Sequence, residues 1–132
     1  MLHNQLPEGL DVDHAIFASP DLTVFCHLDE LGLQAVGQLL EPDRAVIECR
    51  VADPDPWCRG CGCRARSRGT DTRLLAHEPL GWRPTVLEVT VRHYRCTECG
   101  YVWRQDTTAA AEPRARLSRA AMRWALEGFV VA

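Results

Sequence analysis

The sequence contains no lysine; all 15 of its basic residues are arginine. Its cationic chemistry is therefore guanidinium chemistry, planar and permanently charged, which suits bidentate contact with phosphate oxygens and guanine edges. Codon usage in a GC-rich genome accounts for the same bias, and the two readings are compatible. No run of about 18 apolar residues occurs, which excludes a membrane-spanning helix. Residues 1–10 carry neither a basic n-region nor an apolar h-region, so no secretory signal is expected. The expected compartment is the cytosol, where thiols stay reduced. Internal repeats and low-complexity tracts are absent. With 132 residues, the chain suits one main domain or a domain plus an arm, and is short for a large catalytic fold joined to a recognition module.

The net charge of −3 hides an asymmetry. Met1 to Asp53 carries 2 Arg against 10 acidic residues, a balance of −8. Pro54 to Ala132 carries 13 Arg against 8 acidic residues, a balance of +5. A basic half beside an acidic half points to a polyanion as partner for the basic half.

Four segments are expected. Residues 1–18 read as a loose N-terminal arm. Residues 19–53 read as a helix and a β-hairpin. Ser19-Pro20-Asp21 has the pattern of a helix start, with Ser19 as N-cap, and Gly32 is a plausible stop. Leu22, Phe25 and Cys26 would share one face of that helix. Leu33–Leu40 and Ala45–Val51 read as the two strands, joined by a turn at Glu41-Pro42-Asp43-Arg44. Ile47, Cys49 and Val51 should point one way and Val46, Glu48 and Arg50 the other. Asp53-Pro54-Asp55-Pro56 reads as a hinge before a cysteine-rich segment over residues 54–104. There the alternation of Leu87, Val89 and Val91 predicts a strand over residues 84–95. A short strand is expected at Tyr101-Val102-Trp103. Residues 105–132 read as a linker followed by the start of a helix, with Ser118 as N-cap and Ala121, Trp124, Ala125, Gly128 and Phe129 on one face.

The cysteines carry the strongest signal. Cys58-Arg59-Gly60-Cys61-Gly62 and Cys96-Thr97-Glu98-Cys99-Gly100 are both C-x-x-C. That spacing makes a tight knuckle whose two sulfurs approach one ion. Glycine after the second cysteine lets the backbone turn away with φ above zero. Two knuckles supply four thiolates, matching tetrahedral Zn2+ with bonds of about 2.3 Å. Structural zinc of this kind contributes roughly 10–16 kcal/mol of apparent binding energy, enough to decide whether a small domain folds. Cys58, Cys61, Cys96 and Cys99 are thus the expected metal ligands, with Cys63 as a rival to Cys61. The same ligands would serve a rubredoxin-like iron. Disulfides fit poorly with seven cysteines in a reducing compartment. A thioredoxin-like βαβ context for a redox motif is missing. Cys26 and Cys49 read as small core residues. With four thiolates available, neither His77 nor His93 is needed as a ligand, and His93 reads as part of the basic surface or as a contact behind the ligands.

Arginines surround the knuckles. Arg64, Arg66 and Arg68 alternate and would share one face of an extended segment as a phosphate-binding ladder; an ordinary charged edge strand is the rival reading. Arg92 and Arg95 lead into the second knuckle. Arg119 and Arg123 crowd the last helix start, where cations oppose the dipole and an external anion would relieve them. Trp82 and Trp103 read as core or knuckle packing.

Together the hairpin turn Glu41-Pro42-Asp43, the motif Trp57-Cys58-x-x-Cys61-Gly62, Arg73, Leu80-Gly81 and the entry Arg92-His93-Tyr94-Arg95-Cys96-x-x-Cys99 resemble the N-terminal zinc-finger region of bacterial insertion-sequence transposases of the ISL-three family. The resemblance covers roughly residues 22–129. It implies an α+β fold: a small β-rich, zinc-ribbon-like domain, preceded by a β-hairpin and followed by the first helix of a helix-turn-helix. It further implies Zn2+ on the four named cysteines and double-stranded DNA as partner, at the terminal inverted repeats of an element. The family's catalytic domain, with three metal-binding carboxylates, would be absent. The sequence therefore predicts a non-catalytic, zinc-dependent DNA-binding portion of a transposase in a bacterial cytoplasm, associated with the nucleoid and possible as a homo-oligomer. A zinc-stabilised protein–protein interaction module is the alternative.

Overall fold

The computed structural model describes residues 21–131 of the chain. The arm expected over residues 1–18 and the helix start at Ser19-Pro20 lie outside the described residues. The fold is a small mixed α+β domain dominated by one sheet. Helix α1 spans Leu22–Phe25, a 3₁₀ turn Asp29–Leu31, strand β1 Leu33–Leu40, β2 Ala45–Val51, β3 Ser67–Leu80, β4 Arg83–Arg95, β5 Val102–Arg104 and helix α2 Arg119–Val131. No helix among the described residues is long and apolar enough to cross a membrane.

Asp21, in extended conformation, caps α1 by accepting from the Thr23 N–H at 2.9 Å. The helix stops after one turn because His27 adopts φ +61°, and the 3₁₀ turn then ends on left-handed Gly32 at φ +68°. The break separates residues expected to share one face: Cys26 is buried, but Phe25 is 75% exposed.

The hairpin matches its expected bounds. Glu41 N–H donates to Arg44 O at 2.8 Å, closing the turn. Ile47, Cys49 and Val51 are buried and Glu48 and Arg50 exposed, whereas Val46, expected on the outer face, is buried as well. Beyond the hairpin, the chain passes through the first knuckle and enters β3, which pairs antiparallel with β4 over most of its length. β4 returns alongside β2 in parallel register, Ala45 opposite Thr85 and Arg50 opposite Thr90. The strand order is β1-β2-β4-β3, with β5 pairing the last residues of β4. The hairpin and the cysteine-bearing strands, read as separate stretches in sequence, thus share one sheet with β4 as its spine.

One face of this sheet is covered. Leu33, Ile47, Cys49, Leu75, Leu87 and Val89 of the sheet form one core with Cys26, Leu28 and Leu31 and with Ala110, Ala111 and Ala120. Burying each such Leu, Ile or Val side chain contributes about 1.5–3 kcal/mol. The stretch expected to be a linker is therefore part of the core: Ala110 and Ala111 are fully buried. Arg73 fastens it, donating to Thr107 Oγ1 (2.9 Å), Glu112 O (2.6 Å) and Ala115 O (3.0 Å). Its alanine-rich composition looks flexible in sequence, yet small side chains are what lets an irregular segment lie flat on a sheet. At α2 the expected cap holds: Ala121 N–H donates to Ser118 Oγ at 3.0 Å. Ala120 and Ala121 are buried, but Trp124, Ala125 and Gly128 of the expected apolar face are exposed.

Candidate metal centre

β4 runs directly into Cys96, and β5 leaves from the far side of the same knuckle. The two knuckles repeat one backbone design. Gly62 N–H donates to Cys58 O and Gly100 N–H to Cys96 O, each at 2.9 Å. Gly62 at φ +79° and Gly100 at φ +78° occupy the left-handed region, where a side chain is strained. Cys58 N–H donates to Cys63 O and Cys96 N–H to Tyr101 O, each at 2.8 Å, closing each loop.

The four sulfurs converge. Cys58 Sγ lies 3.5 Å from Cys99 Sγ and Cys61 Sγ 3.4 Å from Cys96 Sγ, and all four lie within 4.8 Å of one another. Tetrahedral bonds of about 2.3 Å would set sulfurs about 3.8 Å apart. The group can therefore hold a metal ion. Burial raises the Cys58 thiol, but N–H groups of Cys61 and Gly60 and the Cys99 and Cys61 sulfurs outweigh it, bringing it down to about 6. The Cys99 N–H leads the causes that lower Cys96. Such lowering favours the thiolate, the form that binds metal. Cys63 is exposed and stands outside the four-sulfur group; its carbonyl accepts from Cys58 N–H, and its own N–H and thiol meet the Cys61 sulfur. Cys26 and Cys49 are buried in the main core as expected, and burial, then nearby Cys26, pushes the Cys49 thiol up to about 12.

A second, smaller hydrophobic cluster sits under the sulfurs: Cys58, Ala65, Tyr94, Cys96 and Trp103. Tyr94 and Trp103 stack with ring centroids 5.3 Å apart, and the Arg59 guanidinium lies 5.8 Å from the Trp103 ring. Trp103 packs at the knuckle as expected. Trp82 does not: it is 76% exposed at the β3–β4 turn, beneath the Arg83 guanidinium.

The arginines divide into three groups. Arg64, Arg66 and Arg92 line a hollow of about 530 Å3 against Pro54, Pro56 and Tyr94. Arg68 and Arg95 line a separate hollow of about 660 Å3 with Arg104, His93 and Asp71. The expected ladder of Arg64, Arg66 and Arg68 is therefore broken. The register of β3 against β4 shifts between Ser67 and Gly69, so Arg68 is a bulged residue that turns away from its neighbours. Arg119 and Arg123 belong to neither hollow. Arg119 donates to Thr108 O (2.7 Å) and Glu112 Oε1 (2.9 Å), and Arg123 reaches Glu30 Oε2 at 3.5 Å. The helix start is thus neutralised from within the chain. His93 pairs with Asp71 at 2.8 Å on the exposed surface.

His77 takes a place that sequence spacing did not reveal. It is buried, with Nε2 2.8 Å from Cys26 O and Nδ1 2.8 Å from Ser118 Oγ. A carbonyl only accepts, so Nε2 carries the proton and Nδ1 accepts from the Ser118 hydroxyl. The helix cap, the imidazole and the end of α1 form one chain of hydrogen bonds.

No family model matches this chain, and neither a curated protein nor a solved structure matches it.

Proposed function

We propose that this chain is a zinc-dependent DNA-binding module of the kind that opens insertion-sequence transposases, reading the terminal inverted repeats of an element and carrying out no catalytic step of its own. The observation that carries the reading is the joint placement of four converging cysteine sulfurs and of arginines that line hollows beside them. Cys58, Cys61, Cys96 and Cys99 would hold Zn2+ in a zinc-ribbon-like arrangement of two knuckles on strands, and the ion would lock the end of the sheet. The chain's own part is to fix the arginines. Arg92, Arg95 and Arg104 stand on β4 and β5, whose pairing is continuous with the second knuckle. Backbones paired this way keep the arginines at fixed spacing, and DNA binding would order their side chains and release counterions. α2 corresponds to the first helix of the helix-turn-helix in this reading, with Arg119 and Arg123 available to DNA only by exchanging their carboxylate partners. The reading implies a cytoplasmic, nucleoid-associated protein.

The test is fluorescence anisotropy of the zinc-loaded chain on duplex DNA bearing an element end, across a salt series, with Cys96→Ser as control. Binding should weaken with a log–log slope of about −0.9 per phosphate contacted. It should prefer the end sequence and disappear in the variant. A zinc-loaded, folded chain that ignores duplex DNA at low salt defeats the reading.

A second reading is favoured by one observation. Met122, Trp124 and Leu126 of α2 are exposed, 44%, 53% and 61% respectively, as on a zinc-stabilised protein-interaction module or a homo-oligomer. That reading predicts a stable oligomer or partner complex and no salt-dependent DNA affinity.

A further inference from the structure

We propose that the hollow formed by Arg64, Arg66 and Arg92 against the Pro54–Pro56 segment seats a single phosphate group. The inference rests on the DNA-binding reading only for the source of that phosphate, a backbone phosphodiester; the chemistry of the seat stands on the observations that follow.

The first observation is the absence of internal neutralisation. Arg44, Arg59, Arg104, Arg119 and Arg123 each pair with a carboxylate of this chain. Among the described residues, Arg64, Arg66 and Arg92 have no carboxylate partner, and no acidic residue lines their hollow. The neighbouring hollow differs, because Asp71 stands inside it and bonds both His93 and Arg104. Three like charges around one depression repel unless an anion joins them.

The second observation is a wall that is fixed in advance. Asp53-Pro54-Asp55-Pro56 reads as a hinge in sequence, yet each of its four carbonyls accepts a hydrogen bond. Gln105 Nε2 donates to Asp53 O at 2.8 Å, the Tyr94 hydroxyl to Pro54 O, Trp103 Nε1 to Asp55 O at 3.0 Å, and Ala65 N–H to Pro56 O at 2.8 Å. The donors come from β4, from β5 and the residue after it, and from the segment that follows the first knuckle. Gln105 also accepts from Arg92 N–H at 2.8 Å, tying the wall to the backbone of one of the three arginines. The Arg64 guanidinium is steadied over the Trp57 ring at 5.8 Å. The side of the hollow thus keeps its shape without a ligand, which lowers the cost of ordering on binding.

The third is size and valence. About 530 Å3 accommodates a phosphate with an attached sugar. One guanidinium fork satisfies one pair of oxygens, so a carboxylate would occupy a single arginine. A phosphate presents enough oxygens for several forks at once.

The test uses the zinc-loaded chain, Arg66→Gln/Arg92→Gln, and Arg44→Gln as a charge control at the hairpin turn. Arg64 is left in place because of its stacking on Trp57. Zinc content and thermal melting of the double variant should match the parent, since both side chains are exposed. On duplex DNA, the double variant should bind roughly tenfold more weakly and its log–log salt slope should shrink by about 0.9, one phosphate, and not by twice that. Inorganic phosphate, titrated in parallel, should shift the backbone amide resonances of Ala65, Ser67 and Tyr94 in the parent and not in the double variant. Arg44→Gln should change neither. If phosphate shifts those amides but duplex DNA is ignored, the seat stands, its source is a free phosphate or monoester, and the DNA-binding reading fails. If duplex binding remains salt-steep and unchanged in the double variant while phosphate leaves the amides unmoved, the seat is overturned and DNA is read elsewhere. If neither probe binds, both proposals fall.

Discussion

His77 shows how much one buried side chain can commit a small fold to a pH range. Burial is the main cause that holds its imidazole below the ordinary value of 6.5, ahead of the opposing bond to Cys26 O and the charge of Glu78. In the unfolded chain the same group titrates near about 6.5. Between that value and the lowered folded one, the unfolded chain binds more protons, so stability falls as the pH falls through this window and is intact above it. His27 works in the opposite sense. Its bond to Glu78 raises it, so its contribution is present below 6.5 and is lost as the pH rises through the raised value. Removing His27 isolates the buried group. We predict that denaturant unfolding of zinc-loaded His27→Gln loses more stability from about pH 7.5 to about pH 5.5 than the same protein carrying His77→Gln in addition. Taking the difference between the two proteins cancels thiol protonation, which both share. Equal pH slopes would show that His77 is not held neutral by the fold.

At the scale of elements, the core depends on a segment with no regular structure, held to β3 by Arg73 and, at its end, by backbone bonds of Ala76 to Arg116 O and Ser118 N–H. A guanidinium spans three acceptors on residues 107, 112 and 115 because its donors are fixed in a plane. Arg73→Ala should lower the unfolding free energy by about 2–3 kcal/mol, the scale of charge-assisted hydrogen bonds. Arg73→Lys should recover less than half of that, since one ammonium cannot reach all three. A loss under about 0.5 kcal/mol in chemical denaturation would mean that the segment docks through Ala110, Ala111 and the Ala76 backbone bonds without help from Arg73. The same segment marks the limit of what could be read along the chain. The hairpin was legible because its turn residues and its Ile47-Cys49-Val51 alternation follow backbone chemistry directly. β4 was legible through Leu87, Val89 and Val91, and the knuckles through their cysteine spacing. The first half of β3 was not: Ser67 to Thr72 is exposed throughout, so no alternation announces it, and the bulge at Arg68 reverses the one alternation that seemed clear. The docked segment was hidden for a related reason. Its partner Arg73 lies more than thirty residues away, and local composition says nothing about such a contact.

Over the whole molecule, the buried hydrophobic residues among those described form two clusters. The larger lies between the sheet and its covering layer; the smaller consists of Cys58, Ala65, Tyr94, Cys96 and Trp103. Two of the five members of the smaller cluster, Cys58 and Cys96, belong to the four-sulfur group, and five residues bury too little area to be stable alone. Without a metal its thiols share protons. The Cys63 N–H lowers Cys61, but the bonds from Cys96 and Cys63 raise it further, and Cys99 is raised in the same way against the pull of the Tyr101 N–H. A divalent ion would replace those protons and convert the repulsion of four thiolates into attraction. The larger cluster contains none of the four converging cysteines. We therefore predict that a chelator acts on one end of the molecule first. Hydrogen exchange should lose protection at Cys58–Ala65 and at Tyr94–Trp103, and Trp103 emission should shift to the red. Amides of Leu87 and Val89 should keep most of theirs. Uniform loss across β4 would show instead that the sheet has a single cooperative unit and that the metal stabilises all of it. In that case the four cysteines would belong to the same cooperative unit as the core, and the arginines beside them would depend on the ion as fully as the core does.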